Sequence, residues 1–174
     1  MILNNYWNWK SFIEKNPMGN GGNANQDIGL LDLSGNHANI CYSSANNGYM
    51  STHMGLIYNW AIKRSLSARI GSGDTAVQAS DYALATDITS NFSNVSVTSS
   101  TSADGNSEKT ITTISGTNTS GSSKTIKEVG ITGIVYWNPN SDEQTILLVR
   151  QILNDPIEVA NGQTFTITIT WEES

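Results

Sequence analysis

The stretch Gln163-Thr164-Phe165-Thr166-Ile167-Thr168-Ile169-Thr170-Trp171 alternates hydroxyl and apolar side chains without a break. Successive side chains of a strand point to opposite faces, so this period of two fits only a half-buried strand, with Phe165, Ile167, Ile169 and Trp171 toward a core. Threonine is β-branched and suits the solvent face. Just upstream, Asn161-Gly162 accepts the positive φ angles of a two-residue turn, which predicts a hairpin of 157–160 with 163–171.

Further strands follow from the same reasoning. Thr145 to Leu153 is apolar on both faces over its first half, as in a strand with neighbours on either side, and Asn154-Asp155-Pro156 is expected to stop it. Ile126, Val129, Ile131, Val135 and Trp137 predict one or two strands over 124–137, with Gly130 and Gly133 marking a bulge or bend, and Asn138 to Asp142 a loop. Segments 94–100 and 107–115 flank the turn Ala103-Asp104-Gly105-Asn106, and Ser65 to Ile70 forms a strand that ends at Gly71-Ser72-Gly73. No long amphipathic helices separate these strands, which argues against a parallel α/β sheet. The expected fold is mainly β: an antiparallel β-sandwich, jelly-roll-like, over 62–174.

Residues 1–61 read differently, as a mostly irregular N-terminal arm or anchoring segment carrying a short helix. Tyr6, Trp9, Phe12 and Ile13 recur at helical spacing, which predicts a helix near 5–15. Pro17 to Asp27 is rich in Gly and Asn and reads as a loop, and 28–60 follows no single period. Aromatic residues are favoured anchors in interfaces, so Tyr6, Trp7, Trp9 and Phe12 are the candidate contacts to a partner chain.

Composition bounds the function. At 174 residues the chain suffices for one well-packed domain and is short for two. Charged residues make up 14% of it, against about 25% in an average soluble domain. Nine basic and fifteen acidic residues leave a net charge of −6, which disfavours a nucleic-acid backbone as partner. There is no apolar run long enough for a membrane helix, and the opening Met1 to Trp7 has neither the basic flank nor the apolar run of a secretory signal. The single cysteine, Cys41, excludes an intramolecular disulfide, so packing and oligomerisation are expected to hold the fold.

Candidate chemistry is sparse. His37, His53 and Cys41, with Asp32 as a fourth ligand, match no familiar zinc spacing, and loop histidines are the simpler reading. Asp74, Asp81 and Asp87 could donate oxygens to calcium but miss the alternate-residue spacing of a calcium loop, which leaves turn and cap chemistry. No Gly-x-Ser-x-Gly elbow, dinucleotide fingerprint or phosphate loop is present, and no carboxylate pair stands out for glycoside hydrolysis. Exposed aromatics would suit a carbohydrate-binding module, although Trp137 and Trp171 at period-two positions are more simply core. Asn91, Asn94 and Asn118 match the glycosylation pattern by chance in a chain this rich in Asn, Ser and Thr. The expectation is therefore no catalytic, cofactor or metal site.

Ser67-Ala68-Arg69-Ile70-Gly71-Ser72-Gly73-Asp74-Thr75-Ala76, followed by Asp81-Tyr82-Ala83-Leu84, resembles a segment of many virion structural proteins of tailed bacteriophages: a strand, Gly-x-Gly-x-Thr-Ala, then Asp-x-x-Leu. Lys127 to Ile131, Leu147 to Arg150 and 157–171 are similar to the second half of those proteins. The closest likeness is to virion proteins of crAss-like or other gut podoviruses. The resemblance implies a non-enzymatic assembly protein with capsid, portal-vertex or tail subunits as partners, assembled in the bacterial cytoplasm and residing in the virion. Head decoration or a head fibre is the favoured place, a neck or tail component the same-class alternative, and a carbohydrate-binding adhesin module the alternative of another class. Locally, Gly71 and Gly73 are expected to let the chain reverse, and Asp81 to cap a turn that tucks Tyr82 and Leu84 under the sheet. Arg150, on an otherwise apolar strand, needs a carboxylate if buried, and Glu128 is the candidate.

Overall fold

The computed structural model describes residues 1–15, 24–42, 66–104, 107–136 and 143–173. They form one α-helix, α1 (Asn4–Lys15), a 3-10 turn at Thr89–Asn91, and the strands β1 (Ala24–Leu31), β2 (His37–Tyr42), β3 (Ser67–Gly71), β4 (Phe92–Asp104), β5 (Ser107–Asn118), β6 (Lys124–Tyr136), β7 (Glu143–Val159) and β8 (Thr164–Glu173). The protein is mainly β, and the strands pair antiparallel. β1 and β2 form a two-stranded sheet, and two three-stranded sheets run β3-β6-β7 and β4-β5-β8.

One apolar cluster draws on both three-stranded sheets. Ala68, Ile70, Val129, Ile131 and Val159 come from one, and Phe92, Ile114, Phe165 and Ile167 from the other. The rings of Phe92 and Phe165 meet edge to face at 5.3 Å. In β8 Phe165 and Ile167 are buried while Thr164, Thr166, Thr168 and Thr170 are exposed, the alternation read from the sequence.

The expected hairpin of 157–160 with 163–171 does not form. Its turn is present, with Gly162 at φ +80° and the Gln163 amide donating to the Ala160 carbonyl at 3.0 Å, but β8 pairs with β5 and β7 with β6. The turn carries the chain from one sheet to the other. Asn118, fully buried at the end of β5, holds this corner. Its side-chain amide donates to the carbonyls of Val159 (2.7 Å) and Ser122 (2.8 Å), and its backbone bonds to Gly162 and Gln163.

Nor does Asn154-Asp155-Pro156 end a strand, because β7 runs through it. Pairing with β6 jumps from Glu128↔Ile152 to Ile126↔Ile157, so residues 153–156 stand opposite Lys127 alone. At a bulge of this size Pro156 has no ladder bond to donate. A second register shift, at Ile131/Thr132, falls between Gly130 and Gly133, where a bulge was expected.

The described part of the N-terminal segment is not irregular. α1 matches the expected helix, but the β1–β2 hairpin occupies a region read as loop and aperiodic chain. A register shift between Gln26 and Leu30, with Gly29 at φ +74°, breaks the period of two there. Ile2 bridges Val149 on the free edge of β7, with the Leu3 amide donating to the Leu148 carbonyl at 3.0 Å. Buried Asn5 ties the hairpin to β7: its amide donates to the carbonyls of Leu31 (2.9 Å) and Leu147 (3.0 Å), and its Oδ1 accepts the Leu31 N–H (2.9 Å). The expected boundary between residues 61 and 62 lies outside the described residues.

Candidate functional site

Arg150 follows the run Ile146-Leu147-Leu148-Val149 in β7, and its side chain is 2% exposed. A guanidinium sealed from water must engage its N–H groups within the protein, because its charge cannot be shed. Its Nε donates to Glu128 Oε2 at 2.7 Å, Nη1 to Asp81 Oδ2 at 2.6 Å and Nη2 to the Thr75 carbonyl at 2.9 Å. Burial alone would favour loss of the charge. The hydrogen bonds and charges of Asp81 and Glu128 outweigh it and hold the Arg150 pKa above its ordinary value.

Glu128 is fully buried beside Arg150 on β6. Its Oε1 accepts the amides of Thr86 (2.9 Å) and Gly73 (3.1 Å), and its Oε2 accepts that of Ala85 (3.2 Å). Asp81 Oδ2 also accepts the Gln78 amide at 2.9 Å, so it caps the turn behind it and not one ahead; Leu84 is buried as expected, but Tyr82 is 41% exposed and does not tuck under the sheet. One carboxylate and one guanidinium therefore organise residues 72–87, the loop that leaves β3 and reaches β4 through the 3-10 turn at Thr89–Asn91. The Ser72 amide bonds to the Thr86 carbonyl and the Ile88 amide to that of Ile70, closing the loop at its neck.

Gly71 and Gly73 serve this arrangement in a way the sequence did not suggest. Neither has a positive φ. A Cβ at Gly71 would lie 2.4 Å from Glu128 Cγ, and one at Gly73 would lie 2.6 Å from both Glu128 Oε1 and Ala85 Cβ. They are small to admit the Glu128 side chain. Gly130 plays the same part for Leu84 and Leu147, whose methyl carbons would sit 3.0 and 2.7 Å from its Cβ. Leu84 is buried with Leu3 and Leu147, so the loop, β7 and the N-terminal segment share one apolar patch.

The three aspartates weighed as calcium ligands each face a basic residue instead. Asp74 pairs with Lys127 at 2.9 Å, Asp81 with Arg150 at 2.6 Å and Asp87 with Arg69 at 3.2 Å. Asp32 turns the β1–β2 hairpin: its Oδ1 accepts the amides of Ser34 (2.8 Å) and Asn36 (2.9 Å). His37 opens β2 and Cys41 lies within it, while His53 is outside the described residues.

Of the four residues read as partner contacts, Tyr6 is 4% exposed and packs within the chain. Trp7 is 48% exposed, with its ring edge-on to that of Tyr6 at 5.1 Å. Trp9 and Phe12 lie on α1, and their side chains are outside the described set. Among the described residues, Met1, Trp7 and Tyr82 are the large apolar side chains left exposed around the N-terminal segment and the 72–87 loop. These two segments meet where the Asn4 amide donates to the Ala79 carbonyl at 2.8 Å.

Chemically, the arrangement is a fixed platform. Both Glu128 oxygens are engaged by backbone amides and Arg150, a pattern suited to holding a loop rather than exchanging protons. Comparison with protein-family models, with curated proteins and with solved structures finds no match.

Proposed function

We propose that this chain is a non-enzymatic structural component of a tailed-phage virion, a β-sandwich made by the two three-stranded sheets that attaches to capsid or portal-vertex neighbours. Head decoration or a head fibre is the favoured place. One observation carries the reading. Gly71, Gly73 and Asp81 of the phage-like pattern meet Glu128 and Arg150 of its second half in one unit, and Leu84 of the same pattern is buried in the neighbouring patch with Leu3 and Leu147. The resemblance therefore falls on residues that depend on one another to hold the 72–87 loop.

In this reading the unit presents the 72–87 loop and the N-terminal segment as one rigid face. Exposed Trp7 and Tyr82 belong to that face and supply aromatic anchors for a neighbouring subunit. A low-charge surface of Ser, Thr and Asn faces outward.

The test is quantitative mass spectrometry of purified virions, with antibody labelling to locate the chain. Hundreds of copies per particle on the head support decoration, and about a dozen at one vertex support a portal-axis component. Absence from purified virions overturns the proposal.

A further inference from the structure

A sheet edge exposes unpaired backbone N–H and C=O groups, and proteins guard such edges by shortness, charge, proline, bulges or covering chain. Among the described residues, three of the four outer edges of the two three-stranded sheets carry such a guard. β3 is five residues long and carries Arg69. β7 is covered in part by the bridges from Ile2 and Asp32. β4 is bulged between Ser93 and Ser96, where Asn94 adopts φ 53°. β8 differs: it keeps register with β5 from Thr164 to Glu173 without a shift, and it has no proline and no charge before Glu172.

β8 is also close to a palindrome. Phe-Thr-Ile-Thr-Ile-Thr-Trp, residues 165–171, reads almost the same from either end, with Thr168 at its centre. We propose that β8 pairs antiparallel with β8 of a second copy about a two-fold axis at Thr168. Thr168 then lies opposite itself, Ile167 opposite Ile169, Thr166 opposite Thr170 and Phe165 opposite Trp171. Each is a like-with-like pair of the kind that stabilises antiparallel strands. An isologous contact requires such self-complementarity.

Charge points to the same occupant. The whole chain is acidic, but Glu172 falls opposite Thr164 and Glu173 opposite Gln163, so the pairing brings no like charges face to face. The hydroxyl face formed by Ser96, Thr98, Thr113, Ser115, Thr166 and Thr168 continues across the seam.

This inference deepens the virion reading by giving the component a second copy as partner. The test uses purified protein alone, so a monomeric result would leave the virion assignment standing.

Thr168→Cys and Thr166→Cys are compared under mild oxidation, with the unsubstituted chain controlling for Cys41. The two Thr168 positions lie at about the 4.5–5.5 Å Cα separation of facing residues, within disulfide reach, whereas the two Thr166 positions are about 14 Å apart. The expected result is a covalent dimer from Thr168→Cys only. Sedimentation should also show a dimer of the unsubstituted chain whose association falls at least tenfold in Thr168→Lys. Equal cross-linking of both cysteine variants, no cross-linking of either, or a monomer at micromolar concentration would overturn it.

Discussion

Arg150 Nε lies 2.7 Å from Glu128 Oε2, with both side chains closed to solvent, and this contact joins β7 to β6 and both to a loop whose Gly73 stands 55 positions before Glu128 in sequence. Removing one member of a buried pair leaves an uncompensated charge, which costs about 3–5 kcal/mol. Arg150→Met and Glu128→Gln are each expected to destabilise by that order, and the double variant by clearly less than the sum. Urea unfolding of the four proteins measures the coupling. Additive losses would mean that the two groups act independently.

Gly71→Ala and Gly73→Ala test whether the two glycines make room for Glu128. Each added methyl group enters occupied space, so a loss of about 1–3 kcal/mol is expected. Glu128→Ala should cancel most of the Gly71→Ala penalty, because the three atoms nearest the added methyl group all belong to Glu128. Thermal melts of the single and paired variants give the comparison.

Asn5→Ala removes three hydrogen bonds between the N-terminal segment, β1 and β7. Leaving buried partners unpaired costs about 1–3 kcal/mol. The loss should be local: faster amide exchange at Leu3 and Leu31, with little change in β5 and β8. Uniform acceleration across all strands would show that the segment and the sheets unfold as one.

The acid side of the stability profile carries two groups of known sign. Lys127 holds the Asp74 carboxyl below its ordinary value of 3.8 by a hydrogen bond and its charge. At Asp32 slight burial raises the pKa, and the bonds from Asn36, Ser34 and Gly35 outweigh it, so it too lies below 3.8. A carboxyl with a lowered folded-state pKa contributes stability above its unfolded pKa and loses it as pH falls through the folded value. The urea midpoint of the unsubstituted protein should therefore fall more steeply below about pH 4 than that of an Asp32→Asn, Asp74→Asn double variant. Parallel profiles would contradict the assignment.

How much of this was readable in the sequence depended on how local each cause was. β8 was legible because water on one face and a core on the other impose alternation. Arg150 and Glu128 were legible because a cation in an apolar strand demands an anion. The Asn161-Gly162 turn was legible too, but the strand that β8 joins is chosen by Asn118, more than forty positions upstream of the turn. Pro156 reads as a stop unless the register skip opposite Lys127 is known. Gly71 and Gly73 read as turn residues because turns are what glycine signals locally, whereas their reason lies in a side chain on β6. The β1–β2 hairpin escaped notice because the bulge at Gly29 hides its period.

The most direct test of the account is amide hydrogen exchange at Gly73, Ala85 and Thr86, the three loop amides that donate to Glu128. They are expected to exchange as slowly as amides of β6 in the unsubstituted protein, and faster by orders of magnitude in Glu128→Ala while β5 stays protected. Rapid exchange at all three in the unsubstituted protein would contradict the claim that the Arg150–Glu128 unit holds the loop.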